Sequence, residues 1–87
     1  MFSLTGNYNY YINQGSTDMR GSIDKLSYIV RTKMRKDPCS GDVFIFLSKS
    51  RKVVKILRAE ENAFVLYEKH LTKERYLRPL IISIFTS

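Results

Sequence analysis

The stretch "SGDVFIFLSKSRKVVKIL", Ser40–Leu57, holds two runs of β-branched and aromatic residues, Val43–Leu47 and Val53–Leu57. Such runs favour strands, and the link Ser48–Lys52 is short enough for a hairpin. A third run, Ala63–Tyr67, follows a link of the same length, Arg58–Asn62, so an antiparallel meander is the economical arrangement. In the first run Val43, Ile45 and Leu47 alternate with Phe44 and Phe46, which makes both faces of that strand apolar. Each face therefore needs a cover. A helix can supply one, and the other falls to an N-terminal strand, the C-terminal tail or a second copy of the chain, which makes a homodimer one expected partner.

Upstream, the tyrosine-rich segment Tyr8–Ile12 reads as a first strand and "NQGST", Asn13–Thr17, as its exit turn. The period then changes. Met19, Ile23, Leu26, Val30 and Met34 recur at steps of three and four, the spacing of one helix face. Thr17 or Asp18 is the expected N-cap, and Pro38 stops the helix after Asp37. Arg31, Lys33, Arg35 and Lys36 crowd its last turns, where cations suit the helix dipole. Arg20, placed in the first turn, opposes the dipole and is expected to pair with Asp24 at i+4. Glu68–Arg78 reads as strand end and loop. The expected fold class is α+β, with one main α-helix packed on an antiparallel β-sheet of about four strands.

Eighty-seven residues is the size of one small domain, and 44% apolar with 26% charged residues is the balance of a chain that folds. Fifteen Lys and Arg against eight Asp and Glu leave a net charge of +7, which points to polyanions as partners, nucleic acid first. Cys39 is the single cysteine, so no internal disulfide forms, and with one His there is no ligand set for a structural zinc. A reducing cytoplasm is the expected compartment. The first residues lack the pattern of a secretory signal. The apolar run Leu80–Phe85 is far shorter than the roughly 20 residues a membrane span needs, so no membrane partner is expected.

The order of these elements carries a resemblance. "TDMR" at Thr17–Arg20, Asp24 and Leu26 in "IDKL", "DPCSGDVFIF" at Asp37–Phe46, "KIL" at Lys55–Leu57 and "FVLYEKHL" at Phe64–Leu71 stand in register. Together they resemble the TnpB-type accessory protein, from the second open reading frame, of the insertion sequence family sixty-six transposable elements. The resemblance covers residues 1–79, taken as one α+β domain, and leaves Leu80–Ser87 as an atypical tail. The family's usual Trp-Asp-Gly-x-Gly is replaced by Ala59-Glu60-Glu61-Asn62-Ala63, with Asn62 expected to accept a left-handed turn conformation in the absence of glycine. What the resemblance implies is a protein encoded beside a separate transposase and needed for efficient transposition. It supplies no catalytic residues and no cofactor.

The residues agree with a noncatalytic reading. Most of the eight carboxylates fall at predicted caps and turns rather than at spacings that converge on a metal ion. Cys39 and His70 are the one nucleophile and base pair to consider, and no G-x-S-x-G or phosphate-loop motif accompanies them. The basic residues are the stronger signal. Lys49, Arg51 and Lys52 crowd a hairpin tip, Lys55 and Arg58 continue the charge along opposite faces of the next strand, and the helix end adds the second cluster. Each has an ordinary reading as solvated turn, edge-strand or helix-end charge. Their functional reading is contact with DNA phosphates, and Tyr8, Tyr10 and Tyr11 would add base stacking if exposed. Two hypotheses follow: an accessory factor that binds DNA through these cations, and an interaction module that docks the transposase of its element or itself. A small nuclease is a third, distinguished by metal-dependent cleavage.

Overall fold

The computed structural model describes residues 9–71. Tyr8, the greater part of the Glu68–Arg78 segment and the tail Leu80–Ser87 lie outside them, wholly or beyond residue 71. In chain order the elements are β1 (Tyr10–Ile12), α1 (Ile23–Thr32), β2 (Val43–Leu47), β3 (Val53–Glu60) and β4 (Ala63–His70). The four strands form one sheet in the order β1-β2-β3-β4.

The sheet is mixed, which corrects the antiparallel expectation. β2, β3 and β4 form the meander, but β1 runs parallel to β2, with Tyr10 opposite Val43 and Ile12 opposite Ile45. Connectivity is the reason: the chain between β1 and β2 contains α1, and a crossover of this kind brings the next strand back in the same direction. β2 therefore lies between β1 and β3, and all five of its residues are buried. Phe44 and Phe46 join Leu57 and the helix residues Leu26, Ile29 and Val30 in one buried cluster. Val43, Ile45 and Leu47 join Val54 and Ile56 in a second, on the other face, so both faces are buried within the single chain.

α1 is shorter than the periodicity predicts. Its start shifts from Met19 to Ile23, with Ser22 as N-cap in place of Thr17 or Asp18. The carbonyls of Met19 and Gly21, which would otherwise accept helical bonds, both accept from the Lys55 ammonium at 2.7 and 2.9 Å. Arg20 is consequently outside the helix. Its partner is Asp18, whose Oδ2 lies 2.8 Å from the guanidinium, rather than Asp24. At the other end α1 stops five residues before the expected Asp37, because Arg35 enters the left-handed region at φ 55°. Met34 and Lys36 fold their N–H groups back onto the carbonyls of Ile29 and Val30, which satisfies the helix end. Met19 and Met34 still pack against the first buried cluster, so the apolar stripe is real although its two ends are not helical.

β3 and β4 are longer than predicted. Arg58–Glu60 belong to β3, and the link shrinks to Glu61–Asn62, because Glu60 pairs directly with Ala63. Glu61, not Asn62, takes the left-handed conformation, at φ 47°. It occupies the place of the first glycine in the family's Trp-Asp-Gly-x-Gly. A side chain there costs roughly 1–2 kcal/mol, of which glycine's greater unfolded freedom returns a part. Glu61→Gly is therefore expected to stabilise the fold by about 0.5–1 kcal/mol, read as a melting-temperature rise of a few degrees. Lys55→Met is expected to cost about 1–3 kcal/mol in urea unfolding, since it leaves the Met19 and Gly21 carbonyls without their donor.

Candidate functional site

The loop that leaves β1 is built by two anchors. Asn13 continues the parallel ladder with its N–H on the Ile45 carbonyl at 2.9 Å, and Thr17, four residues on, places its N–H on the Leu47 carbonyl at 2.7 Å. The side chains close the same loop: buried Asn13 Nδ2 donates to buried Thr17 Oγ1 at 3.0 Å. Gln14, Gly15 and Ser16 are pushed outward, and Gly15 makes the bend at φ 77°. This loop sits at the end of the sheet where β2 leads into the hairpin tip.

That tip is held by serines rather than by its cations. Buried Ser48 donates its N–H to the Val53 carbonyl and accepts the Arg51 N–H on its own, while its Oγ accepts from Val53 N–H at 3.1 Å. Arg51 takes φ 61° to complete the turn. The turn thus leaves the side chains of Lys49, Arg51 and Lys52 exposed, with no carboxylate partner among the described residues.

The helix-end cluster stands on the other side of the β1 loop. Arg31 alone lies in the last helical turn, so the dipole accounts for one of the four cations. Lys33, Arg35 and Lys36 are exposed in the turn beyond it. Lys36 Nζ rests 4.5 Å above the Tyr11 ring, and Phe44 stacks on that ring at 5.9 Å. Tyr11 is therefore occupied as a stacking platform, whereas Tyr10 is 52% exposed. A cleft of about 360 Å³ opens between Lys33, Lys36 and the Tyr11–Gln14 segment. A second, of about 230 Å³, runs from the same Ile12–Gln14 segment to Gly15, Leu47 and Arg51. The two basic clusters, separate in sequence, flank one loop.

Two of the sequence candidates take other positions. Lys55 is only 6% exposed, and besides its two carbonyls it faces Glu68 Oε1 at 3.4 Å. Arg58 donates through Nε to the Gly41 carbonyl and pairs with Glu60 Oε1 at 3.0 Å. Both bind this chain's own groups. The signal for Lys55 is present in "VVKIL", where a lone lysine interrupts an apolar run. Cys39 is exposed ahead of the Val43 end of β2, while His70 pairs with Val53 at the opposite end of the sheet, bonded to Glu68. The fold keeps them apart. Among the described residues no three His, Cys, Asp or Glu side chains gather as a metal site, and no helix is long and apolar enough to cross a membrane.

The carboxylates follow the same division. The Arg20 guanidinium holds Asp18 well below the usual carboxylate range, with Lys25 adding to it. Glu68 is also lowered, by the His70 imidazole at 2.7 Å and then by Lys55. A carboxylate held below its unfolded value of about 4.3 stabilises the fold above that pH and loses the contribution as pH falls through its folded value. Glu68→Gln is accordingly expected to be less stable than wild type at neutral pH, with the two denaturation curves converging below about pH 4.

The described residues define an α+β protein with one helix, a mixed four-stranded sheet and two cationic clusters, on either side of the β1 exit loop, that meet no carboxylate among those residues. The family model for the IS66 Orf2-like protein matches residues 8–83, and the chain belongs to that family, an accessory protein family of insertion sequences. A curated relative, the uncharacterized protein y4hO of Sinorhizobium fredii (strain NBRC 101917 / NGR234), is 27% identical over 73 residues, which is 84% of this chain. The aligned part spans 64% of that relative's length. No solved structure matches the chain.

Proposed function

We propose that the protein is a noncatalytic, cytoplasmic accessory factor that supports DNA transposition of its insertion sequence by binding DNA. The contact set is Arg31, Lys33, Arg35 and Lys36 with Lys49, Arg51 and Lys52; Lys55 and Arg58 fall out of it because their donors are engaged internally. The observation that supports this reading is how the acids are distributed. Asp18, Glu60 and Glu68 pair with Arg20, Lys25, Arg58, Lys55 and His70, while the seven cluster cations meet no carboxylate among the described residues. Asp24, Asp37, Asp42 and Glu61 make no ion pair among the described residues either, but the seven cluster cations outnumber them, and an excess of one sign is what attracts a polyanion.

The test is a salt titration of binding to duplex DNA from the element's ends. Replacing Lys49, Arg51 and Lys52 together by Gln is expected to weaken binding and to reduce the slope of log K against log salt by up to about 2.7, or about 0.9 for each phosphate that is no longer neutralised. An unchanged slope would remove the hairpin tip from the interface.

A further inference from the structure

Resting on that reading, we infer that the β1 exit loop is a ridge that enters the major groove of duplex DNA, where the Gln14 amide reads a base edge between phosphates held on either side. The ridge follows from the two clefts. One, with Tyr11 and Met34, opens on the helix-covered face of the sheet, and the other, with Leu47 and Arg51, opens on the opposite face. Ile12, Asn13 and Gln14 line both, so they form the wall between them. Exposed cations stand on both sides of that wall, Lys33 and Lys36 in the first cleft and Arg51 in the second.

The crest of the ridge is held in place from within. Its ends are bonded to β2 through the Asn13 and Thr17 N–H groups, and the buried side chains of the same two residues are bonded to each other. Gln14, Gly15 and Ser16 between them are exposed. The Gln14 side chain makes no hydrogen bond with any described residue, so its donor and its acceptor both remain for a ligand. A primary amide matches the N7 acceptor and N6 donor that adenine presents in the major groove. Width selects the groove. A strand with side chains on both faces is about as thick as the spacing of packed sheets, ~10 Å. The major groove, about 12 Å wide, admits such an element, and the minor groove, about 6 Å wide, does not. Lys33 and Lys36 then meet the phosphates of one strand and Arg51 those of the other. Phosphate contacts orient the protein without distinguishing sequences, which leaves discrimination to the amide.

The experiment separates base reading from charge. Fluorescence anisotropy over a range of salt is measured with duplex DNA from the element's ends, with a scrambled duplex of the same composition and with one unpaired strand, and circular dichroism verifies folding. Wild type is expected to favour the end duplex. Gln14→Ala should reduce that preference at least about fivefold and leave the salt slope unchanged. Lys36→Gln and Arg51→Gln should each lower the slope by about 0.9 on both duplexes and keep the preference. Asn62→Ala, in the β3–β4 turn at the other end of the sheet, should change neither. When adenines of the end duplex are replaced one at a time by 7-deazaadenine, wild type should weaken at a position to which Gln14→Ala is indifferent. Gln14→Glu, which accepts but does not donate, should shift the preferred base there toward cytosine. Equal binding of both duplexes by wild type, a preference that Gln14→Ala retains, or tighter binding to the unpaired strand would overturn the ridge while leaving DNA contact in place. Absence of binding to any of these DNAs at low salt would overturn the underlying reading and the ridge with it.

Discussion

The buried ammonium of Lys55 ties together parts of the chain that are otherwise remote. It sits on β3 with Phe46 and Glu68 as its neighbours across the sheet, and it donates to the carbonyls of Met19 and Gly21. A lysine taken out of water must have its donors used, and here two carbonyls and one carboxylate do so. The consequences reach beyond the lysine. The segment before α1 is pinned over the sheet, the helix begins only at Ile23, and the Asn13–Thr17 loop is held between that pinned segment and β2. Three of the words by which the chain resembles its family, "TDMR", "KIL" and "FVLYEKHL", meet at this one group. Their joint presence has an architectural explanation that requires no chemistry of catalysis.

The parallel pairing of β1 with β2 does the remaining positioning. It brings the exit of β1 to the same end of the sheet as the β2–β3 hairpin, and the turn after α1 returns along the outside of β1. The helix-end and hairpin-tip cations thereby come to flank a single loop. Among the described residues the acids Asp18, Glu60 and Glu68 are engaged in internal pairs, none of them with a cation of either cluster.

β2 was legible to the residue, because its run of β-branched and aromatic side chains is bounded by Gly41-Asp42 and by Ser48-Lys49. The helix was legible as an element but not at its ends. Its apolar stripe continues through Met19 and Met34, which pack against the same cluster from non-helical backbone, and no local pattern distinguishes the two cases. Lys55 and Arg58 read as surface charge in the sequence because burial of a lysine depends on carbonyls 34 and 36 residues away. The direction of β1 follows from connectivity, since a strand followed by a helix favours a parallel return, whereas the hairpins of the neighbouring strands suggest the opposite. The convergence of the two basic clusters was invisible for the same reason. Glu61 shows the opposite case, a turn whose strain is explained only when the family's glycine is set beside it.

Contact of both cationic clusters with DNA is the proposal on which the functional reading depends. Titrating isotopically labelled protein with a short duplex from the element's ends, and following every backbone amide by NMR, tests it most directly. The amides of Asn13–Gly15, Lys33–Lys36 and Lys49–Lys52 are expected to shift together along one saturation curve, while those around Lys55 and the Glu61–Asn62 turn stay still. Shifts confined to one cluster, two curves with different midpoints, or a response centred on the β3–β4 turn would contradict it.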